Sequence, residues 1–332
     1  MTPIAMPPSV SFVIPTFRRP EALRATLDAV LAVEHPSELC EVVVVDNSGD
    51  GTAEEVVRHY AEAAMAVRCV AQPRGGSARA RNHGARVADG ELLILLDDDI
   101  LVEPSHVRRH LEIRHRYGDG LAGGNWEFAG DTLAALGRTQ FGRYRVALDR
   151  GFRGSPDGRQ LDHDRWQVQA LAACNLAISR RLFWELGGFD EEFPFAGVED
   201  REFSIRATQA GCRLIRDDSI RLLHNDQTIT FEQFCLREER SAQTMAVLAR
   251  KHPDSEHART FAAVNGPIAR GEPVAVTTKN LIKRALATAP LIWLLHVTVR
   301  ALERFRLGQR TMARLYSAVV GVHIFRGFRG AS

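Results

Sequence analysis

ELLILLDDDI (Glu91–Ile100) sets five consecutive apolar residues directly against three aspartates. A continuous apolar run of that length with no alternation predicts a strand buried on both faces. Its abrupt end puts the acids at the strand's C-terminal tip. Outward from there the pattern repeats. SVSFVIP (Ser9–Pro15), EVVVV (Glu41–Val45) followed by the turn-rich DNSGDGT, and Val67–Val70 read as three earlier strands. Between them Glu21–Val33, Ala53–Ala64 and a segment from the glycine turn PRGGS to Ala88 carry helical spacing. Strands of this kind alternating with helices predict a parallel sheet covered on both faces. Right-handed crossovers then bring the strand C-terminal ends to one rim, where open α/β sheets bind ligands. That rim would hold Thr16, Asp46 and Asp97–Asp99 together.

Residues 120–165 are rich in Gly and Arg and read as irregular. Order returns from Gln169 to Leu223, with the turn GGFDEEF, a helix over Val198–Ala210 and a strand ending near His224. Thr230–His252 reads as one amphipathic helix, Pro253–Pro273 as a linker, and the remainder as basic and helical. The expected fold class is α/β, a mostly parallel sheet flanked by helices with a basic helical C-terminal extension. The expected division is 1–230 against 231–332.

At 332 residues the chain has room for one elaborate domain or about two. A content of 45% hydrophobic and 25% charged residues excludes a disordered chain, a collagen and a multi-span membrane protein. Five scattered cysteines without a Cys-x-x-Cys speak against a disulfide framework or a thiolate zinc site, and suit a reducing cytosol. MTPIAMPPSV (residues 1–10) lacks the features of a secretory signal, so a cytoplasmic location is expected. The net charge of +2 conceals a split, because residues 276–332 carry ten basic side chains against one acid, Glu303. Such a tail suits an anionic partner.

Several residues at the rim could carry chemistry, each with a plainer alternative. Asp97, Asp98 and Asp99 would repel one another unless a cation neutralised them, and oxygen ligands of this kind suit Mg²⁺ or Mn²⁺; alternatively one caps a helix and the others face solvent. Asp46 could accept from a nucleoside or open an Asx-turn. GGSARARNHG (Gly75–Gly84) places Arg79, Arg81 and Asn82 at a helix start, where backbone N–H groups favour anions; a solvated basic helix end is the alternative. Glu199 and Asp200 open a helix, as a general base or as first-turn acids. His224 closes a strand, as a metal ligand or as a structural histidine.

The order of these motifs carries more than any one of them. SFVIPTFRR, VVVVDNSGDGT, GGSARARNHG, ELLILLDDDI, NLAISRRLFWELGGFDEEF, GVEDREFSIRATQAGCRL and a strand ending in His224 together resemble glycosyltransferase family 2 over about residues 9–226. The resemblance implies a GT-A fold, with a donor half over about 9–105 and an acceptor half over about 120–230. It also implies a nucleotide-diphospho-sugar donor and inversion at the anomeric carbon. It puts Pro15, Thr16, Arg18, Asp46, Arg81, Asn82, Asp97 and Asp98 on the donor, and Glu199 and Asn175 on the acceptor side. Asp200 becomes the catalytic base, and Asp97, Asp99 and His224 the metal ligands for Mn²⁺ or Mg²⁺. Asp98 adds a charge inside the family's Asp-x-Asp motif, which can move the ligand assignment by one residue.

The implied reaction is a hexosyl or deoxyhexosyl transfer from a nucleotide sugar to a glycan, lipid-linked or small-molecule acceptor. Rival readings are a sugar nucleotidyltransferase, which would call for a Gly-rich phosphate loop after the first strand, and a non-catalytic binding protein on the same fold. A haloacid-dehalogenase-type phosphatase would need its aspartates at the first strand. In the tail, ALATAPLIWLLHVTVRAL (Ala285–Leu302) is interrupted by Pro290, His296 and Arg300, so an interfacial helix on the inner membrane face is expected rather than a span. The alternatives are packing on the catalytic domain or a homodimer contact. Stacking aromatics do not alternate with the basic residues, so no nucleic acid is expected.

Overall fold

The apolar runs of the first hundred residues form the expected strands. In the computed structural model, β1 (Val10–Thr16), β2 (Cys40–Asp46), β3 (Ala66–Ala71) and β4 (Leu92–Leu96) alternate with α1 (Pro20–Leu31), α2 (Thr52–Arg58) and α3 (Gly76–Val87). β1 pairs in parallel with β2 and β4, and β2 with β3. Successive side chains enter opposite faces. Phe12, Ile14, Val42, Val44, Ile94 and Leu96 join one buried cluster, and Val13, Val43, Val45, Leu93 and Leu95 the other. Each such side chain contributes about 1.5–3 kcal/mol by leaving water, which is why these runs show no polar alternation. α3 lies so close to the sheet that a Cβ at Gly84 would sit 2.3 Å from Val13 Cγ1.

Described are residues 8–72, 75–153, 158–226, 230–266, 274–305 and 307–331. Part of the N-terminal stretch (1–7), Pro73 and Arg74 of the expected glycine turn, residues 267–273 of the expected linker and Arg306 of the basic tail lie outside them.

The chain divides into two compact units. The first comprises Met1–Ala129, Asp157–Glu191 and Glu199–Asp226. Beyond β4 it contains β5 (Ile100–Val102), α4 (His106–Tyr117), β6 (Leu121–Phe128), β7 (Arg159–Gln160), β8 (Arg165–Gln167), β9 (Asn175–Ser179), α7 (Arg180–Glu185), α8 (Glu199–Gln209) and β10 (Leu214–His224). One sheet runs β3-β2-β1-β4-β9-β6-β10-β8-β7, with β5 on β10. β9 enters antiparallel between β4 and β6, which makes the sheet mixed. Residues 120–165, read as irregular, in fact hold β6, β7, β8 and two helices. β6 escapes a periodicity reading because glycines stand where apolar side chains would signal a strand. A Cβ at Gly124 would lie 2.2 Å from the Ile220 carbonyl oxygen.

The second unit comprises Gly130–Pro156, Glu192–Val198 and Gln227–Ser332. It is helical, with α5 (Gly130–Gly137), α6 (Gln140–Arg153), α9 (Phe231–Lys251), α10 (Glu256–Asn265), α11 (Val274–Leu286), α12 (Ala289–Arg304) and α13 (Gln309–Gly330). Thr230 starts α9 through a reciprocal capping box, its hydroxyl accepting from Gln233 N at 3.2 Å while Gln233 Oε1 accepts from Thr230 N at 3.1 Å. Phe141, Tyr144, Phe231, Phe234, Met312 and Tyr316 fill its core. Part of the expected linker is α10. Pro290 stands in the first turn of α12, where its missing N–H costs nothing, and α11 and α12 meet at 95°.

Candidate active site

Strand register builds the rim. Thr16 faces Asp46 across β1 and β2. β5 pairs antiparallel with the end of β10, Ile100 opposite His224, which draws the segment after β4 against that histidine. The three aspartates between β4 and β5 then take three directions. Asp97, partly exposed, accepts from Arg81 Nη2 at 2.6 Å. Asp98 is buried and accepts from Thr16 Oγ1 at 2.7 Å and Arg19 Nη1 at 2.9 Å. Asp99, also buried, accepts from Arg19 Nη2 at 2.5 Å and lies 3.1 Å from His224 Nε2.

The two buried acids titrate apart. Burial, set against Arg19 and reinforced by Asp99 and Asp97, pushes the Asp98 carboxyl up to about 7. Burial also opposes ionisation of Asp99, but His224 and Arg19 outweigh it and hold that carboxyl well below the usual range.

A second charged group adjoins the first. Arg81, buried in α3, bridges Asp97 and Glu199, its Nη1 donating to Glu199 Oε1 at 2.8 Å. Ser77 Oγ donates to the same Glu199 oxygen at 2.8 Å. Asp200, next along α8, accepts from Ala173 N at 3.2 Å and Arg201 N at 2.7 Å. Burial and the charge of Glu199 raise its carboxyl well above the ordinary range. The Cys174 carbonyl accepts from Asp97 N at 3.4 Å, so residues 173–174 link the aspartate segment to Asp200.

One ligand atom from each of Asp99, His224 and Asp226 falls within 4.8 Å of the others. Two carboxylates and an imidazole are a donor set that suits Mn²⁺. His224 Nδ1 is buried without a hydrogen bond, while Trp126, edge-on at 4.8 Å, and Phe128, stacked at 6.1 Å, fix its ring. These residues can therefore hold a divalent ion. Asp97 is not one of the three; its contact is Arg81.

The remaining sequence candidates make contacts of their own. Pro15 is half-buried in β1, paired with Val45. Asp46 Oδ1 opens an Asx-turn, accepting from Ser48 N at 2.8 Å and Gly49 N at 3.2 Å, at the tip of β2. Arg18 has a left-handed backbone, φ 55°, and turns outward to Asp50 at 3.0 Å. Asn82 clamps the 187–191 turn, exchanging hydrogen bonds of 2.8 Å with the Phe189 backbone. Asn175 is buried against α4, 3.2 Å from His110 Nε2. Sequence reasoning missed Arg19 and Asp226. Arg19 is the neighbour of a residue already singled out, and Asp226 follows His224 by two, so both lay within reach of a wider reading of the same motifs.

Residues 11–187 match the family described as Glycosyl transferase family 2. The chain is 27% identical over 230 residues to the O-antigen biosynthesis protein RfbC of Myxococcus xanthus, covering 68% of this chain and 18% of that protein. It is 30% identical over 218 residues to validoxylamine A glucosyltransferase of Streptomyces hygroscopicus subsp. limoneus, covering 60% and 48%. The chain thus spans less than half the length of these relatives. Among solved structures, a mannosyltransferase from Pyrobaculum calidifontis in complex with GDP-Man and Mn²⁺ superposes with a TM-score of 0.61 at 21% identity, over 97% of this chain and 88% of that one. GalNAc-T7 with UDP, GalNAc and Mn²⁺ gives 0.58 at 15% identity, over 84% and 55%. At those identities the likeness is one of fold.

Arg81 joins two carboxylates in a buried place, so its loss removes the guanidinium that Asp97 and Glu199 share. Arg81→Met is expected to destabilise the protein by about 3–5 kcal/mol in urea unfolding. A loss under about 1 kcal/mol would show that the pair contributes little.

Proposed function

Because the chain belongs to glycosyl transferase family 2, we propose that it transfers a sugar from a nucleotide-diphospho-sugar to an acceptor hydroxyl with inversion at the anomeric carbon. The observation that carries this reading is the meeting, at one sheet rim, of a potential metal triad (Asp99, His224, Asp226) with a half-buried carboxylate of raised proton affinity (Asp200). A nucleotidyltransferase has no evident use for that carboxylate beside the triad, and a binding protein has use for neither.

In this reading the sheet-bearing unit supplies the whole site. Asp46 and Thr16 face the nucleoside at the tips of β2 and β1. Arg81 holds Asp97 and Glu199 in position. Asp200 takes the proton from the acceptor hydroxyl while that oxygen bonds to the anomeric carbon, and the bond to the diphosphate breaks with its electron pair on the leaving oxygen. A divalent ion held by Asp99, His224 and Asp226, when bound, neutralises charge on the diphosphate. Arg19, which shares Asp98 and Asp99, keeps the acids from repelling one another.

Metal removal and single substitutions test these roles. EDTA is expected to abolish transfer and Mn²⁺ or Mg²⁺ to restore it. Asp226→Asn should weaken Mn²⁺ binding at least about tenfold, read as free ion by electron paramagnetic resonance; unchanged affinity would remove Asp226 from the shell.

For the base, Asp200→Asn should cut turnover by roughly 10²–10⁴ with donor affinity nearly unchanged. Asp200 works only when ionised, so kcat/KM should rise with pH along a limb above the usual carboxylate range. Glu199→Gln removes the negative charge that raises Asp200, so the limb should move to lower pH. A limb that stays in place or moves upward would assign it to another group.

The helical unit offers the second part of the proposal, contact with an anionic membrane face. No single helix among the described residues is long and apolar enough to cross a bilayer. The α11–α12 pair instead exposes Leu281, Ile282, Leu291 and Val297, with Trp293 64% and Leu294 50% accessible. Lys279, Arg284, Arg300 and Arg304 flank them, exposed. Because α13 packs on α9, truncating the tail would open the core, and a point change is the better probe. The intact protein is expected to float with anionic liposomes, less so in high salt and little after Leu294→Glu. Equal flotation of the variant would exclude this face, and a concentration-dependent dimer lost in the variant would make it a dimer contact instead.

A further inference from the structure

The helical unit gathers a second set of ligating side chains, on the inner faces of α9, α12 and α13. Cys235, His296 and His323 are all buried, and one ligand atom from each lies within 4.8 Å of the others. The two imidazoles point at each other, His296 Nε2 and His323 Nε2 being 3.0 Å apart. Tetrahedral Zn–N bonds of about 2.0–2.1 Å place two ligand nitrogens at roughly that separation. We propose that Cys235, His296 and His323 bind a transition-metal ion, Zn²⁺ by the chemistry of the set, and that this ion ties the three helices together.

The proton inventory favours an ion over a bare histidine pair. His323 Nδ1 lies 2.7 Å from Glu239 Oε2. That carboxylate keeps the proton on Nδ1 and turns the Nε2 lone pair toward the cluster, the arrangement by which carboxylates orient metal-binding histidines. Without an ion, His296 must donate from Nε2 to satisfy that lone pair. Its own Nδ1 is then a second bare lone pair, buried without a hydrogen bond and facing Glu232 Oε1 at 4.0 Å. Glu232 Oε1, partly exposed and 3.2 Å from Arg300 Nε, is an acceptor and leaves the bare Nδ1 without a donor. An ion on both Nε2 atoms removes the conflict, because the His296 proton moves to Nδ1 and faces Glu232. As the sulfur–metal bond forms, the Cys235 thiol proton leaves to solvent.

Aromatic and apolar side chains surround the cluster. The Phe231 ring lies 5.5 Å from the His296 ring and 4.9 Å from Tyr316, and Phe234, Val299 and Val319 belong to the same buried cluster as Cys235. A thiolate with two imidazoles suits Zn²⁺ better than Mg²⁺ or Mn²⁺, so the site differs in kind from the oxygen-rich rim. Three protein donors leave a fourth position for water. His296 lies on the buried face of α12 with Ile292 and Val299, so the ion would also brace the helix that presents Trp293 and Leu294 outward. A sequence reading based on Cys-x-x-Cys spacing passes over such a site, because each ligand comes from a different helix.

Cobalt alone is a sufficient probe. The full-length protein, stripped of metal and titrated with Co²⁺, is expected to develop a thiolate-to-cobalt charge-transfer band and the intense visible bands of a tetrahedral site, saturating at one equivalent for that signal. The Asp99–His224–Asp226 triad contains no sulfur, so Asp99→Asn should leave the charge-transfer band intact, whereas Cys235→Ser should lose it with helical circular dichroism retained. In an Asp99→Asn background Zn²⁺ should raise the melting temperature, and should no longer do so once Cys235→Ser is added. A wild-type titration without the charge-transfer band overturns the proposal whether or not any variant folds. So does a band that persists in Cys235→Ser, since it would belong to another cysteine.

Discussion

Three consecutive carboxylates at the end of a fully buried strand are the constraint on which the sheet unit turns. Leu92–Leu96 leave no freedom to pull the acids back into water, since both faces of β4 are covered. Asp98 and Asp99 are themselves buried. A buried carboxylate without a partner is costly, and breaking an existing buried pair costs several kcal/mol. Two arginines answer this, one from each flank. Arg19 at the head of α1 spans Asp98 and Asp99, and Arg81 in α3 spans Asp97 and Glu199. The candidate site residues are thus held by the charges that make the fold tolerable.

This arrangement also separates the acids by role. Asp98 faces inward, toward Thr16 and Arg19, and burial raises its proton affinity. Asp99 gains His224 and stays ionised. Asp97 keeps a solvent-facing side on the rim. Of the three acids, the middle one is turned away from the opening, where it accepts from the Thr16 hydroxyl. A nearby hydroxyl and guanidinium thus absorb the charge of Asp98.

The helical unit is organised by packing of aromatic residues and by capping rather than by charge. The Thr230 capping box starts α9, Phe231, Phe234 and Tyr316 fill the centre, and Lys279, Arg284, Arg300 and Arg304 face outward. Cys235, His296 and His323 form a buried polar cluster among the aromatic residues. Buried polar groups are retained at a cost, and a bound ion supplies a reason for keeping these three together.

Much of the sheet unit was legible in the sequence because burial is a local property of each strand. Continuous apolar runs located β1 to β4 and the acids at their tips, and the order of motifs pointed to the family. β6 and the helices after it were hidden, because glycines at β6 replace side chains that would have carried the period. Which charges pair was decided only in three dimensions. Arg18 and Arg19 are indistinguishable as letters, yet the left-handed backbone at Arg18 sends one outward to Asp50 and leaves the other against Asp98 and Asp99. Asp226 joins His224 and Asp99 because β5 pairs with β10, and Cys235, His296 and His323 meet because three helices pack. Periodicity reports which side chains leave water, since that depends on each residue and its near neighbours. Which polar groups then find one another depends on strand register and helix packing between residues far apart in the chain, and no local pattern encodes that.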